Sequence, residues 1–152
     1  METYDAEVAA RVWQRVHATA AGGDETAAIC AMITGEWTDA AIYLRLSRYF
    51  QGKDAGILRQ MFEEEQSHAA CLKGIYTLLS GTRYVAKTPP MPQEPVEVTL
   101  RRCYGREMQS LAQYEQWSTH REYGPVFLRM AQQEREHCRR LLELLGRLGK
   151  RA

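Results

Sequence analysis

The sequence has little cysteine, and what it has is scattered. Cys30, Cys71, Cys103 and Cys138 form no Cys-x-x-Cys pair, which excludes a zinc ribbon and a thioredoxin-type redox motif. Neither sign of charge is in excess. Lys and Arg number 20 against 19 Asp and Glu, and a formal charge of +1 gives no basic field to draw in nucleic acid or an anionic membrane. No run of about 18 apolar residues occurs, so no transmembrane helix is expected. The opening Met1-Glu2-Thr3-Tyr4-Asp5-Ala6-Glu7 is acidic and lacks the basic start and apolar stretch of a secretion signal. With the unpaired cysteines, this predicts a cytoplasmic protein with reduced thiols. What the chain does have is 152 residues of which 45% are hydrophobic, enough for one domain over residues 1–152 with a sizeable core.

Glycine and proline divide the chain. Gly22-Gly23 precedes Asp24, a good N-cap, and opens a helix running toward Gly52. Asp54 then caps a second helix through Leu79, stopped by Ser80-Gly81. A third opens near Pro95, where proline suits a first turn, and fades around His120. A fourth starts by Pro125, after Gly124, and reaches Leu148. A shorter amphipathic helix over residues 4–21, with Val8, Val12, Trp13 and Val16 on one face, precedes them all.

Spacings of three and four trace one stripe along each long segment. The first runs Ile29, Ile33, Glu36, Ala40, Tyr43, Ser47 and Phe50, and the second Leu58, Met61, Glu65, His68, Leu72, Ile75 and Leu79. The third runs Leu100, Cys103, Glu107, Leu111, Tyr114 and Ser118; the fourth runs Phe127, Met130, Glu134, His137, Leu141, Leu144 and Leu148. Each apolar stripe is broken near its middle by a carboxylate. An ionised carboxylate in a core is costly unless paired or bound to a cation, so Glu36, Glu65, His68, Glu107, Glu134 and His137 need a common partner.

The halves repeat. Glu36 and Tyr43 align with Glu107 and Tyr114 at an offset of 71, and Glu65-Gln66-Ser67-His68 aligns with Glu134-Arg135-Glu136-His137 at an offset of 69. A duplicated helical hairpin, residues 24–80 and 96–148, accounts for this. The connection over residues 81–95 holds Pro89, Pro90, Pro92 and Pro95 and is too long for a tight turn. Fully extended, it reaches roughly 50 Å, about one helix length, so it is able to return the chain to the starting end of the bundle. The expected fold is all-α, a four-helix bundle of two hairpins joined by one long crossover.

A Glu and a His three residues apart share one helix face. Two such motifs and two lone glutamates supply four carboxylates and two imidazoles, a set suited to a di-iron or di-manganese centre, with four negative charges balancing two divalent ions. Zinc sites favour four ligands rich in Cys or His, and calcium does not call for histidine.

On these residues the chain resembles the di-iron domain of the rubrerythrin branch of the ferritin-like superfamily, over roughly residues 24–148. The resemblance implies that Glu65 and Glu134 bridge two iron ions (manganese being the alternative), that Glu36 and Glu107 are terminal ligands, and that His68 and His137 each bind one metal. It implies reduction of hydrogen peroxide or dioxygen at that centre. Rubrerythrins usually carry a rubredoxin domain with Cys-x-x-Cys pairs; none is present here, so an external electron donor is expected. They also carry a glutamate three residues after the second lone ligand, where this chain has Ser110; Asp39 stands at the matching position of the first half.

Tyr43 and Tyr114 read as hydrogen-bond donors behind the carboxylates or as redox participants, against plain core packing. Glu63, Glu64 and Glu136 fall off the stripe and read as solvated charges. Cys71 reads as packing, as do Trp13, Trp37 and Trp117, while His17 and His120 have no Glu three residues before them. Iron oxidation or storage, a helical interaction module with a vestigial site, and substrate hydroxylation are the competing functions. A homodimer is expected, with hairpin exchange through the crossover as one route to it.

Overall fold

The computed structural model describes residues 23–87, 90, 91 and 93–150. The expected helix over residues 4–21, with Trp13 and His17, lies outside the described residues, as do Pro89 and Pro92. Four helices are present among the described residues: α1 (Gly23–Tyr49), α2 (Gly52–Ser80), α3 (Val96–Trp117) and α4 (Gly124–Gly149). None is long and apolar enough to cross a membrane.

Helix boundaries depart from expectation in four places. α1 begins at Gly23, which puts Asp24 inside the helix instead of at its cap. α2 begins at Gly52, not at Asp54, because Gly52 takes φ +59 and turns the chain two residues earlier. Asp54 therefore sits in the first turn of α2, where its Oδ1 lies 2.8 Å from Nη2 of Arg147 at the far end of α4. Pro95 occupies the cap position of α3, and that helix ends at Trp117, short of His120. The stop at Gly81 is as the sequence indicates. The residue takes φ 70, and its N–H donates to Thr77 O at 2.9 Å, satisfying a carbonyl the helix end leaves open.

The turn between α3 and α4 requires glycine for a different reason. A Cβ at Gly124 would lie 2.3 Å from the Ser118 carbonyl oxygen. Without it the chain closes tightly, Gly124 N donating to His120 O at 3.0 Å, and α4 starts at once with Pro125 in its first turn.

Two apolar clusters show how the helices run. One joins Tyr43, Leu46 and Phe50 of α1, Leu58 and Met61 of α2, Leu100 and Cys103 of α3, and Leu141 and Leu144 of α4. The other joins Ile29 and Ile33 of α1, Leu72 and Ile75 of α2, Tyr114 of α3, and Phe127 and Met130 of α4. Each cluster therefore takes opposite ends of α1 and α2, and opposite ends of α3 and α4. Both hairpins are antiparallel, while α1 and α4 point the same way. The chain leaves α2 at one end of the bundle and enters α3 at the other, so one crossover joins the two hairpins.

That crossover is pinned at both ends. Tyr84 packs edge-on against Tyr76 with ring centroids 5.7 Å apart, and its hydroxyl lies 3.3 Å from Thr34 Oγ1. At the far end Glu94 pairs with Arg102. Each fully buried Leu, Ile, Met or Phe in the two clusters contributes about 1.5–3 kcal/mol, stability that offsets what lies between them. Between them is a polar layer.

Candidate metal centre

Glu36, Glu65, Glu107 and Glu134 each stand near the middle of their helices, at the level where the two apolar clusters part. All four are at most 2% exposed, as are His68 and His137. The stripe periodicity aims all six inward, and antiparallel pairing within each hairpin brings a lone Glu level with the opposing Glu-x-x-His.

The six side chains form two overlapping ligand groups. Glu36, Glu65, His68 and Glu134 bring one ligand atom each to within 4.8 Å of one another, and Glu65, Glu107, Glu134 and His137 do the same. Glu65 and Glu134 belong to both groups. The remaining pairs, Glu36 with His68 and Glu107 with His137, flank them on either side. Each group is able to hold one metal ion, with two shared carboxylates between.

Both imidazoles turn Nδ1 inward. His68 Nδ1 lies 2.9 Å from Glu134 Oε1 and 3.4 Å from both Glu36 and Glu65. His137 Nδ1 lies 2.7 Å from Glu65 Oε1 and 3.5 Å from Glu107 Oε1. The outer nitrogens are anchored: His68 Nε2 meets Gln133 Oε1 at 2.7 Å, and His137 Nε2 meets Glu64 Oε2 at 2.5 Å. An Nε2–H held by an acceptor leaves a lone pair on Nδ1, the tautomer a metal-binding histidine needs.

Glu64 is thus not the solvated charge its place off the stripe implied. Its long side chain reaches across from α2 to a histidine on α4, and it is only 21% exposed. Gln133 does the same in the opposite direction. The two are related by the repeat offset of 69 residues, each preceding the Glu of its own Glu-x-x-His motif. That offset was the one sequence feature able to single them out. Glu63 is exposed and Glu136 half-buried, the latter pairing with Arg139 at 2.5 Å.

The two tyrosines cross between halves. Tyr43 donates its hydroxyl to Glu107 Oε1, and Tyr114 donates to Glu36 Oε1. The pseudo-twofold relation is close: the Tyr43 and His137 rings are 6.4 Å apart, and so are the His68 and Tyr114 rings. Burial, then the facing Glu107 or Glu36, pushes each phenol well above its ordinary value, so both keep their protons.

Asp39 breaks the symmetry. It is 3% exposed and accepts a hydrogen bond from Arg106 Nε at 2.6 Å. Burial and the neighbouring Glu107 push its carboxyl up to about 8, against the opposing pull of Arg106. Its counterpart Ser110 and the counterpart of Arg106, Gly35, carry no such pair. Cys71 is partly buried, with Arg129 Nη2 4.0 Å from its Sγ, and packs with the second apolar cluster. Trp37 lies under the Lys73 ammonium at 4.4 Å, and Trp117 packs on Phe127 and stacks on His120.

A satisfied polar layer and an empty ligand set differ in their hydrogen bonds. Eleven buried side-chain nitrogen or oxygen atoms lack a hydrogen-bond partner among the described residues, and eight of them are here: Glu36 Oε2, both oxygens of Glu65 and Glu134, Glu107 Oε2, and Nδ1 of both histidines. Two like charges about 4 Å apart repel by roughly 4 kcal/mol even at an effective dielectric of 20, so four ionised carboxylates cannot coexist here uncompensated. Without metal the site compensates with protons. Burial, followed by the neighbouring carboxylates, pushes Glu65 and Glu134 well above the ordinary carboxyl range. Burial opposes protonation of His137, but contacts with Glu107 and Glu64 outweigh it and raise the ring to about 10. His68 is raised likewise, its burial outweighed by Glu134, Glu36 and Glu65. Burial would raise Glu107, but contacts with Glu134, His137 and Tyr43 outweigh it and bring the carboxyl down to about 2. Two divalent cations fit the place of those protons, and the oxygen-rich set with one imidazole per side suits iron or manganese.

The chain is therefore a four-helix bundle with two Glu/His carboxylate groups consistent with a ferritin-like di-metal site. No protein-family model, curated protein or solved structure matches it, so the centre stands on its own residues and geometry.

Proposed function

We propose that the protein is a di-iron carboxylate oxidoreductase of rubrerythrin type that reduces hydrogen peroxide, with dioxygen as the alternative oxidant. The observation that carries this reading is the eight ligand atoms without a hydrogen bond, buried in one layer between two apolar clusters. Glu36 and His68 would hold one ion, Glu107 and His137 the other, and Glu65 with Glu134 would bridge them.

When bound, a pair of iron ions cycling between ferrous and ferric states supplies the two electrons that, with two protons, turn hydrogen peroxide into two waters. The chain's own residues do the rest. His68 and His137 anchor the ions at fixed places, held by Gln133 and Glu64. Glu65 and Glu134, common to both ligand groups, would supply the carboxylates shared between the two ions. Tyr43 and Tyr114 keep Glu107 and Glu36 oriented and hold a proton beside each. Asp39, paired to Arg106 next to Glu107, holds a further ionisable group at the edge of the layer. The apolar clusters exclude water from both ends. An external donor would return the electrons, and a cytoplasmic homodimer completes the proposal.

Anaerobic Fe(II) loading followed by stopped-flow mixing with peroxide and with oxygen tests it. Oxidation by peroxide should be faster than by oxygen, and far faster than in the Glu65→Ala protein. Equal rates in the two proteins would refute the reading, and uptake of many irons per chain would favour storage.

A further inference from the structure

The repeat that builds the centre is imperfect at one place that touches it. Behind His137 stands Glu64, a carboxylate; behind His68 stands Gln133, an amide. The two positions correspond, both side chains reach the outer Nε2, and their contacts, 2.5 Å and 2.7 Å, are alike in geometry but not in charge. A carboxylate accepting the Nε2–H draws that proton more strongly than an amide oxygen does, which makes Nδ1 the better donor to a cation.

We propose that the two metal subsites are unequal, and that the Glu107/His137 subsite fills first and binds more tightly because Glu64 backs its histidine. The inference rests on the di-metal reading above and adds to it which half is dominant and which residue makes it so. Glu64 is a positioning residue in this role, acting through His137.

Two other asymmetries near the centre do not cancel this one. Glu64 is itself held in place, accepting from Gln60 Nε2 at 3.0 Å and lying 3.6 Å from Arg140 Nη1. Those contacts keep its side chain aimed at His137. Asp39 and Arg106 pair at 2.6 Å beside Glu107, and neither variant used below alters that pair, so a change in the order of filling reads Glu64 and Gln133 alone.

Cobalt(II) is the probe, since it needs no oxidation step. Metal-free protein titrated with Co(II) in competition with a chelator should show two dissociation constants separated by roughly tenfold or more, the range over which such histidine partners act. Crystals grown with one equivalent should show the cobalt anomalous peak beside Glu107 and His137. The exchange variant Glu64→Gln with Gln133→Glu should reverse the order and move the first peak beside Glu36 and His68. A merely structural role for Glu64 would weaken both subsites without reversing them. If the exchange variant does not fold, judged by its helical circular dichroism, Gln133→Glu alone carries the test. It keeps Glu64 and should close the gap by tightening the weaker subsite. Equal subsites in the parent protein, or an order of filling that neither variant alters, would overturn the inference while leaving the di-metal reading intact. No cobalt bound at either subsite would overturn both.

Discussion

Replacing Glu65 by Gln should stabilise the metal-free protein and destabilise the metal-loaded one. Glu65 is wholly buried, its closest polar neighbour is His137 Nδ1 at 2.7 Å from Oε1, and burial with Glu107 and Glu36 raises its proton affinity. Holding a proton at pH 7 on a carboxyl whose ordinary value is 4.5 costs about 3 kcal/mol, which sets the ceiling for what an amide of the same shape saves. Imperfect hydrogen bonding of the amide takes back part of that, since an unsatisfied buried group costs about 1–3 kcal/mol. The net gain expected is about 0–2 kcal/mol, at most roughly 8 °C in Tm for a chain of this size. The sign with pH follows from the raised carboxyl. The folded state binds the extra proton, so the cost is absent below the unfolded value of 4.5 and grows as pH rises above it. The gap between variant and parent should therefore widen from pH 4.5 toward neutrality. With metal at about a hundred times its Kd the parent gains about 2.7 kcal/mol, and the variant, lacking a shared ligand, loses most of that gain. Thermal melts followed by circular dichroism, in chelator and in Co(II), read both effects. A variant less stable than the parent in chelator at pH 7 would refute the reasoning, because it would mean that Glu65 belongs to a satisfied polar network.

The remaining predictions are simpler. Tyr43→Phe and Tyr114→Phe each remove the donor to an otherwise buried carboxylate, and each should cost about 1.5–3 kcal/mol in urea denaturation of the metal-loaded protein. The two should cost nearly the same, because the pseudo-twofold arrangement places both rings 6.4 Å from a histidine. Three glycines should respond differently to alanine. Gly81→Ala forces a side chain into φ 70 at about 1–2 kcal/mol, and Gly124→Ala places a Cβ 2.3 Å from Ser118 O at about 1–3 kcal/mol. Gly74→Ala, on an exposed helical position with nothing within 4 Å, should gain about 0.5–1 kcal/mol by the same denaturation assay.

Most of the architecture could be read from the sequence because it is encoded locally. The three-and-four spacing of Leu58, Met61, Leu72 and Ile75 is a helix statement in itself, and the proline-rich stretch marks the crossover by excluding anything regular. The six inward ionisable residues stand out because each interrupts an apolar stripe, so the cost of burying charge makes them visible one helix at a time. What could not be read depends on two helices at once. Glu64 and Gln133 lie off the stripes of their own helices and acquire their place only when α2 and α4 bring a long side chain to the other helix's histidine. Arg106 has no meaning beside Asp39 until α1 and α3 meet. The start of α2 was misplaced because capping preference pointed to Asp54, while a left-handed Gly52 had already turned the chain.

Counting metal per chain tests the central claim most directly. After anaerobic loading with Fe(II) and removal of unbound ion, elemental analysis should give two irons per chain in the parent protein. The double variant Glu65→Ala with Glu134→Ala, lacking both shared ligands of the two groups, should retain none while keeping its helical circular dichroism. Fewer than one iron per chain in the parent, or equal uptake by the variant, would contradict the account.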